Sequence, residues 1–384
     1  MKEFTFELPT KIYFGTNMTE DVLQKESAQF AGNVLIVTSG RFLITYGYLP
    51  KLISIIEHLP GNEKVVVYDK ITQNPKLKEA QEAISLGKKE HVQSVVGFGG
   101  GSSIDAAKAV AAGIASDENI ETFLLNGREP DGNVLPIIAI PTTAGTGSEL
   151  SKGAILSSPA HHIKAGIRGK KLLPRMAVID TSYTWTVPER ITCETGFDVL
   201  AHAVESYVAV KSNAFSEMFS EKAIRIVGEN LPKLIRDPGD HAAREQMCFA
   251  SMIMGSNLAN VGTCLPHRIQ YAIGACTESS HAAGLIALYP SWIRHEFEVN
   301  PRKLNHVFRW LGYDPVNDAA QAEQLFKDLK TEWKIPYSLS ELGIRESMID
   351  DLADQVTGNL ENDRLSEKEG IIRSILKESY LSRQ

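Results

Sequence analysis

Asp198 and His202 stand four positions apart in Thr195-Gly196-Phe197-Asp198-Val199-Leu200-Ala201-His202-Ala203-Val204-Glu205. On a helix this spacing puts both on one face, with Cβ atoms about 5–6 Å apart, so a carboxylate and an imidazole can share one ion. The residues between them are apolar, where an unpaired aspartate would be costly. His267 and His281 each stand near an expected helix start. A mixed Asp/His set suits Fe(II) or Zn(II) better than softer or harder ions. Taken alone, an Asp-xxx-His pair also serves as an ordinary helix-surface ion pair. His161, His162 and His241 read as surface histidines. The four cysteines, Cys193, Cys248, Cys264 and Cys276, form no CxxC pair and read as reduced thiols of a cytoplasmic protein. Cys264 and Cys276 lie close to the histidines in sequence, but the histidines suffice without them.

A second chemistry is written in two small-residue loops. Gly99-Gly100-Gly101-Ser102-Ser103 follows an apolar run and opens a helical one. Glycines let backbone N–H groups approach a phosphate, and the helix N-terminus adds unpaired donors and positive potential. Asp105 suits the dipole of that helix start. The run matches neither GxGxxG nor GxxxxGK[ST], so by itself it is also a tight strand-to-helix turn. Thr142-Thr143-Ala144-Gly145-Thr146-Gly147-Ser148-Glu149 follows another apolar run, and its hydroxyls suit ribose and pyrophosphate. Both loops belong at the carboxyl edge of one sheet and together favour a dinucleotide. A third loop, Thr38-Ser39-Gly40-Arg41, bears on which one. It has no acid for the ribose hydroxyls and has Arg41 close by, which leans toward NADP(H) over NAD(H).

These residues need elements to position them. Apolar runs at Val34–Val37, Lys64–Tyr68, Ser94–Phe98, Leu135–Pro141 and Met176–Asp180 alternate with helical segments such as Ser103–Ala115. That pattern means a parallel sheet with helices on both faces. After Pro188 helical periodicity takes over, at Phe215–Val227, Ala242–Leu258, Ala282–Phe297 and Arg302–Leu311, with no strand expected. The chain therefore reads as an α/β dinucleotide-binding domain over 1–187 and an all-α metal-binding domain over 188–384. A cleft between two such domains is a usual place for a ligand.

At 384 residues, 43% hydrophobic and 23% charged, the chain is long enough for two domains. A formal charge of −7 argues against a nucleic-acid partner. No uncharged apolar run reaches membrane-spanning length. The opening Met-Lys-Glu-Phe-Thr-Phe-Glu-Leu alternates like a strand and lacks the apolar stretch of a secretory signal.

These motifs together resemble the iron-containing (group III) alcohol dehydrogenase family, most strongly from about Phe4 to Pro290. Leu8-Pro9-Thr10-Lys11-Ile12-Tyr13-Phe14-Gly15 looks like the family's opening strand, and Gly99 to Lys108 like its phosphate loop. Pro141 to Glu149 matches its second loop almost letter for letter. Asp198 and His202 resemble its first two metal ligands, and His267 and His281 the other two. Lys164 resembles a lysine the family keeps near the cofactor. The resemblance implies a Rossmann-like N-terminal domain, a helical C-terminal domain, a dinucleotide, and a divalent metal that polarises a carbonyl for hydride transfer. The cofactor contacts so implied are Ser39, Gly40, Arg41, Gly99, Gly100, Gly101, Ser102, Ser103, Thr142, Thr143, Thr146, Ser148 and Lys164.

The chain also departs from the family. Tyr271 stands where a proton-relaying histidine is common, and a phenol with a reference pKa near ~10 is a poorer base. Tyr271 and His267 are nonetheless the expected catalytic pair, with water or a ribose hydroxyl as other proton carriers. Ala282 replaces the glycine usual after the fourth ligand. Arg268 and Lys152 add positive charge near the ligands in sequence, which favours an anionic aldehyde. The segment Leu265–Tyr271 resembles that of the family's phosphonoacetaldehyde reductase branch. Other readings are a dehydrogenase of small neutral alcohols, a dehydroquinate synthase-like lyase, and a non-catalytic sensor of nucleotide and metal. A homodimer is the expected assembly.

Overall fold

The structure, a computed structural model, describes residues 3–130 and 132–381. The chain divides into two compact units, one spanning Leu8–Val187 and the other Pro188–Gln384 together with the segment up to Glu7. The alternating start is not a strand: Glu3–Leu8 has no regular structure. Phe6 instead packs edge-on against Phe215 at 4.8 Å and Phe219 at 5.7 Å in the helical unit. Apolar alternation there serves aromatic docking, not sheet pairing. Met1 and Lys2, which also belonged to that expected strand, lie outside the described residues.

The first unit holds β1 (Lys11–Gly15), β2 (Gly32–Thr38), β3 (Asn62–Tyr68), β4 (Ser94–Gly99), β5 (Ile137–Pro141), β6 (Gly153–Ser158), β7 (Ile163–Arg168) and β8 (Met176–Asp180). Its helices are α1 (Thr19–Lys25), α2 (Arg41–Thr45), α3 (Tyr48–Glu57), α4 (Leu77–Lys89), α5 (Gly101–Ala115) and α6 (Ile120–Asn126). Six strands form a parallel sheet in the order β1-β8-β5-β4-β2-β3. Alternate residues feed two separate cores. Leu35, Val37, Val95 and Ile137 pack with α4, α5 and α6 on one face. Val34, Ile36, Val96, Phe98, Ile138 and Val178 pack with α1 and α3 on the other. Burial on both faces explains why these strands read as unbroken apolar runs.

From β2 the chain moves outward to β3, then returns to the other side of β2 with β4. The loops after β2 and β4 therefore flank the point where strand order reverses, the usual ligand crevice of such sheets. β6 and β7 form a separate antiparallel hairpin that the sequence reading did not anticipate. Its strands are broken by glycine and polar residues, so neither an apolar run nor strict alternation marks them.

The second unit holds α7 (Glu189–Val208), α8 (Ala214–Arg236), α9 (His241–Asn260), α10 (Leu265–Cys276), α11 (His281–Val299), α12 (Pro301–Trp310), α13 (Ala319–Glu332), α14 (Ile349–Asp354) and α15 (Ile371–Leu381). α7 is buried from Thr192 onward on nearly every side, unlike an amphipathic surface helix. α11 buries Tyr289 and Trp292 completely. Among the described residues no helix is long and apolar enough to cross a membrane. All four cysteines are free thiols.

Candidate metal centre and nucleotide loops

α7 sets Asp198 and His202 on one face, as their spacing requires. His267 is the third residue of α10, whose first turn accepts Pro266 because an N–H there has no helical partner. His281 opens α11, behind a Ser280 cap whose side chain accepts from the Ala283 N–H at 3.1 Å. The ligand atoms of Asp198, His267 and His281 all lie within 4.8 Å of one another. From Asp198 Oδ1, the Nε2 atoms of His202 and His267 are each at 3.7 Å, and that of His281 is at 3.8 Å. These separations are too long for hydrogen bonds. They suit atoms sharing one ion at bond lengths of about 2.0–2.2 Å.

Burial sharpens the point. The Asp198, His202 and His267 side chains are at most 5% exposed, whereas His281 is 25% exposed, so the cluster opens on the His281 side. Asp198 Oδ1 and His267 Nε2 are buried without any hydrogen-bond partner. Two orphaned polar atoms aimed at one point are what a bound cation would satisfy. Asp198, His267 and His281 form the compact group, with His202 beside the carboxylate at 3.7 Å, and carboxylate and imidazole donors of this kind would suit Fe(II) or Zn(II).

The charges agree. Burial alone would raise the Asp198 carboxyl, but His202, His267 and His281 hold it well below the usual carboxylate range. Burial alone would lower His267, yet the Glu205 and Asp198 carboxylates push it up to about 10. Without a metal, a proton on His267 supplies positive charge that a divalent ion would replace on binding.

Partners missed in the sequence hold the ligands in orientation. Glu205 Oε1 accepts from His267 Nδ1 at 2.7 Å, which turns Nε2 toward Asp198. Gln270 Oε1 likewise accepts from His281 Nδ1. Buried Cys264 donates to the carbonyls of Glu205 and Asn362, and Cys276 is exposed.

The Tyr271 ring lies 6.1 Å from the His281 ring at 29° to it, beside the most exposed of the four residues. Arg268 is 8% exposed. Its guanidinium lies 4.8 Å from the centre of the Tyr271 ring, and its Nη2 donates to Thr263 Oγ1 at 2.7 Å. Arg268 Nε is buried with no partner. Lys152 is exposed and belongs to the other unit.

In the α/β unit the loops meet. Gly99 adopts φ 145°, open to glycine alone at little cost, and a Cβ there would strike Ser103 Oγ at 2.5 Å and reach Ser39 Oγ at 3.9 Å. A Cβ on Gly101 would strike Thr146 Oγ1 at 2.5 Å, and one on Gly100 would lie 3.3 Å from Thr143 Oγ1. The Thr142 N–H donates to the Gly99 carbonyl at 2.9 Å. Ser39, the three glycines, Ser103, Thr143 and Thr146 thus share one edge of the sheet, with α5 presenting its N-terminus there. Ser102 follows on the first turn of α5. Arg41 is exposed at the start of α2. Lys164, on β7, donates to Asn74 at 2.8 Å. An acid missed in sequence stands close by: a Cβ on Gly40 would lie 3.5 Å from the Asp69 carboxyl carbon.

The Ser148 hydroxyl is engaged inside the unit. Lys108, fully buried, donates to Ser148 Oγ at 2.9 Å, Ser151 Oγ at 3.0 Å and the Gly153 carbonyl at 2.8 Å. Asp105 accepts from Ser148 Oγ and from the Ile155 N–H. Asp105 therefore ties α5 to the second loop and β6, a more specific duty than answering a helix dipole. Beside them burial pushes the Glu149 carboxyl from its ordinary 4.5 up to about 7. A carboxyl so raised holds its proton more tightly folded than unfolded. Its contribution to stability is complete below pH 4.5 and is lost as pH rises through 7. We expect stability to fall by up to ~3 kcal/mol from this group over that window, and Glu149→Gln to flatten that part of a denaturant-measured stability–pH curve. An unchanged slope in the variant would show that Glu149 does not titrate there.

Models of the iron-containing alcohol dehydrogenases match nearly the whole chain: the family's main model covers residues 9–181 and its C-terminal model residues 192–380. This chain belongs to the iron-containing alcohol dehydrogenase family. Membership makes it a metal-binding oxidoreductase with a nicotinamide dinucleotide cofactor. Within the family it is 27% identical to a probable NADH-dependent butanol dehydrogenase 1 of Bacillus subtilis, across 94% of each chain. The solved alcohol dehydrogenase ADH/D1 from an archaeon of a Red Sea brine pool superposes with a TM-score of 0.90 at 26% identity, covering 99% of this chain and 100% of that one. A sulfoacetaldehyde reductase from Bifidobacterium kashiwanohense, solved with NAD+, superposes with a TM-score of 0.84 at 25% identity over 99% of both chains.

Proposed function

We propose that this protein reduces an aldehyde carrying a negatively charged group, such as phosphonoacetaldehyde, to the primary alcohol, with a divalent ion held by Asp198, His202, His267 and His281. The observation that supports the anionic substrate is Arg268: a buried cation with an unpartnered Nε, beside a ring that neighbours His281. The sulfonate of the substrate named for the Bifidobacterium relative is a parallel in the same family. The relative named for butanol supports the second reading, a dehydrogenase of small neutral alcohols.

When bound, the ion would polarise the substrate carbonyl as a Lewis acid. The protein supplies the rest. Glu205 and Gln270 keep the His267 and His281 rings turned toward the cluster. The glycine loops would hold the dinucleotide phosphates, and the dinucleotide would supply the hydride. Tyr271, beside the more exposed His281, is the phenol we assign to proton delivery. Arg268 pairs with the anionic group, and exposed Lys152 is a secondary candidate. Arg41 favours NADP(H), and Asp69 beside Gly40 limits that preference by suiting the ribose hydroxyls of NAD(H). We further propose a cytoplasmic homodimer; free thiols suit that compartment, and sedimentation would report the assembly.

The test is a reductase assay on protein reconstituted with Zn(II) or Fe(II), comparing phosphonoacetaldehyde, sulfoacetaldehyde and butanal with NADH and NADPH. Losing a hydrogen-bonded charge costs about 1.5–3 kcal/mol. Arg268→Ala should therefore lower kcat/KM for the anionic aldehydes by roughly 10- to 100-fold and leave butanal little changed. Equal parental activity on butanal and phosphonoacetaldehyde would favour the neutral-alcohol reading.

A further inference from the structure

Glu205 is completely buried, seven positions after Asp198 and three after His202, on the continuing face of α7. Each of its oxygens has a distinct duty. Oε1 accepts from His267 Nδ1 at 2.7 Å, and Oε2 accepts from the Cys264 N–H at 2.8 Å, at the cap of α10. One carboxylate thus fixes both the start of the helix and the ring of its third residue. The adjacent N–H, that of Leu265, goes to Asp363 Oδ2 at 3.0 Å, which also accepts from Trp292 Nε1 at 3.0 Å. Asp363 therefore braces the same turn through neutral donors, whereas Glu205 touches a ligand.

A charge count separates this from ordinary packing. A divalent ion held by one carboxylate and three neutral imidazoles leaves one net positive charge in a buried cluster. An uncompensated buried charge is strongly unfavourable. A second carboxylate in contact with a ligand brings the sum to zero. The far nitrogen of His281 meets a neutral amide, Gln270, at the more exposed edge where water can screen charge.

We propose that Glu205 is a positioning and charge-balancing residue for the metal centre, setting its affinity for divalent ions through His267. The inference rests on the metal-ligand reading above. It predicts that the charge of Glu205, beyond its shape, controls metal affinity.

The experiment measures Zn(II) affinity of the metal-stripped full chain by competition with a chromophoric chelator, alongside the melting temperature of the metal-free form. Loss of an outer-shell partner of this kind typically costs about 10- to 100-fold in metal affinity. Glu205→Gln should show that loss, Glu205→Asp should recover part of it, and Gln270→Ala should lose less than Glu205→Gln. Three results would overturn the proposal: Glu205→Gln affinity within about threefold of the parent, below the usual range; a Gln270→Ala loss equal to or larger than that of Glu205→Gln; or a lower metal-free melting temperature with unchanged affinity. His281→Ala serves as the control. If the parent binds no Zn(II), or His281→Ala binds it as well as the parent, the metal-ligand reading itself fails. If Glu205→Gln does not fold, the zinc form of the parent decides. Its His267 Nδ1 proton, shared with a carboxylate, should give a strongly downfield signal in 15N-histidine-labelled protein, and absence of that signal overturns the proposal.

Discussion

Asp198→Asn is expected to strip the protein of its divalent ion and lower aldehyde reduction by roughly a thousandfold or more, since Lewis-acid stabilisation is worth several kcal/mol. Asp198 Oδ1 is the common neighbour of His202, His267 and His281, each within 3.8 Å. Its carboxylate is the one anion among the four proposed ligands. An asparagine keeps the shape but withdraws the charge, and its N–H2 would face imidazole nitrogens needed as acceptors. Elemental analysis and kcat/KM on the reconstituted protein read the two effects together. NAD(P)H binding, followed by nicotinamide fluorescence, should persist because the glycine loops belong to the other compact unit. Full metal occupancy with ordinary turnover would remove Asp198 from the ligand set.

Lys108→Met is expected to destabilise the α/β unit by about 3–5 kcal/mol, the usual cost of breaking a buried ion pair by removing one partner. Burial pulls the Lys108 ammonium below its ordinary 10.5, while Asp105 opposes the shift. Methionine fills the space but leaves three oxygens without their donor, those of Ser148, Ser151 and Gly153. The second nucleotide loop would keep the Asp105 contact to α5 but lose the Lys108 one, so NAD(P)H affinity should fall as well. Urea unfolding should be followed by probes in each unit, because two compact units need not unfold in one step. The double variant Asp105→Asn/Lys108→Met should recover part of the loss, since it leaves no lone charge behind. No recovery would mean that the methionine fails for reasons of packing.

The residues that were legible in advance share a local signal. Val34–Val37 and Ser94–Phe98 announced their strands because a parallel sheet buried on both faces demands unbroken apolar runs. Asp198 and His202 announced a shared face because helix period is local. The loops at Gly99 and Thr142 were legible as loops because small residues and hydroxyls follow an apolar run directly, and they do follow β4 and β5. The family pattern added His267 and His281, which no spacing rule connects to Asp198. Where local pattern misled, at Glu3–Leu8, the same alternation served a different purpose, aromatic docking against Phe215 and Phe219.

The sequence by itself determined the alternation of strands and helices, the helix periods and the residue types proposed to hold phosphate and metal. Tertiary structure alone decided which partners those residues would meet. Glu205 reaches His267 across 62 positions, Asp363 braces Leu265 across 98, and Lys108 ties Ser148 across 40. Asp69 comes to Gly40 because β2 and β3 are neighbouring strands. Such contacts leave no periodicity behind, since each partner obeys the rules of its own helix, strand or loop. They form because a buried carboxylate, ammonium or imidazole must find a complementary group wherever packing brings one within reach.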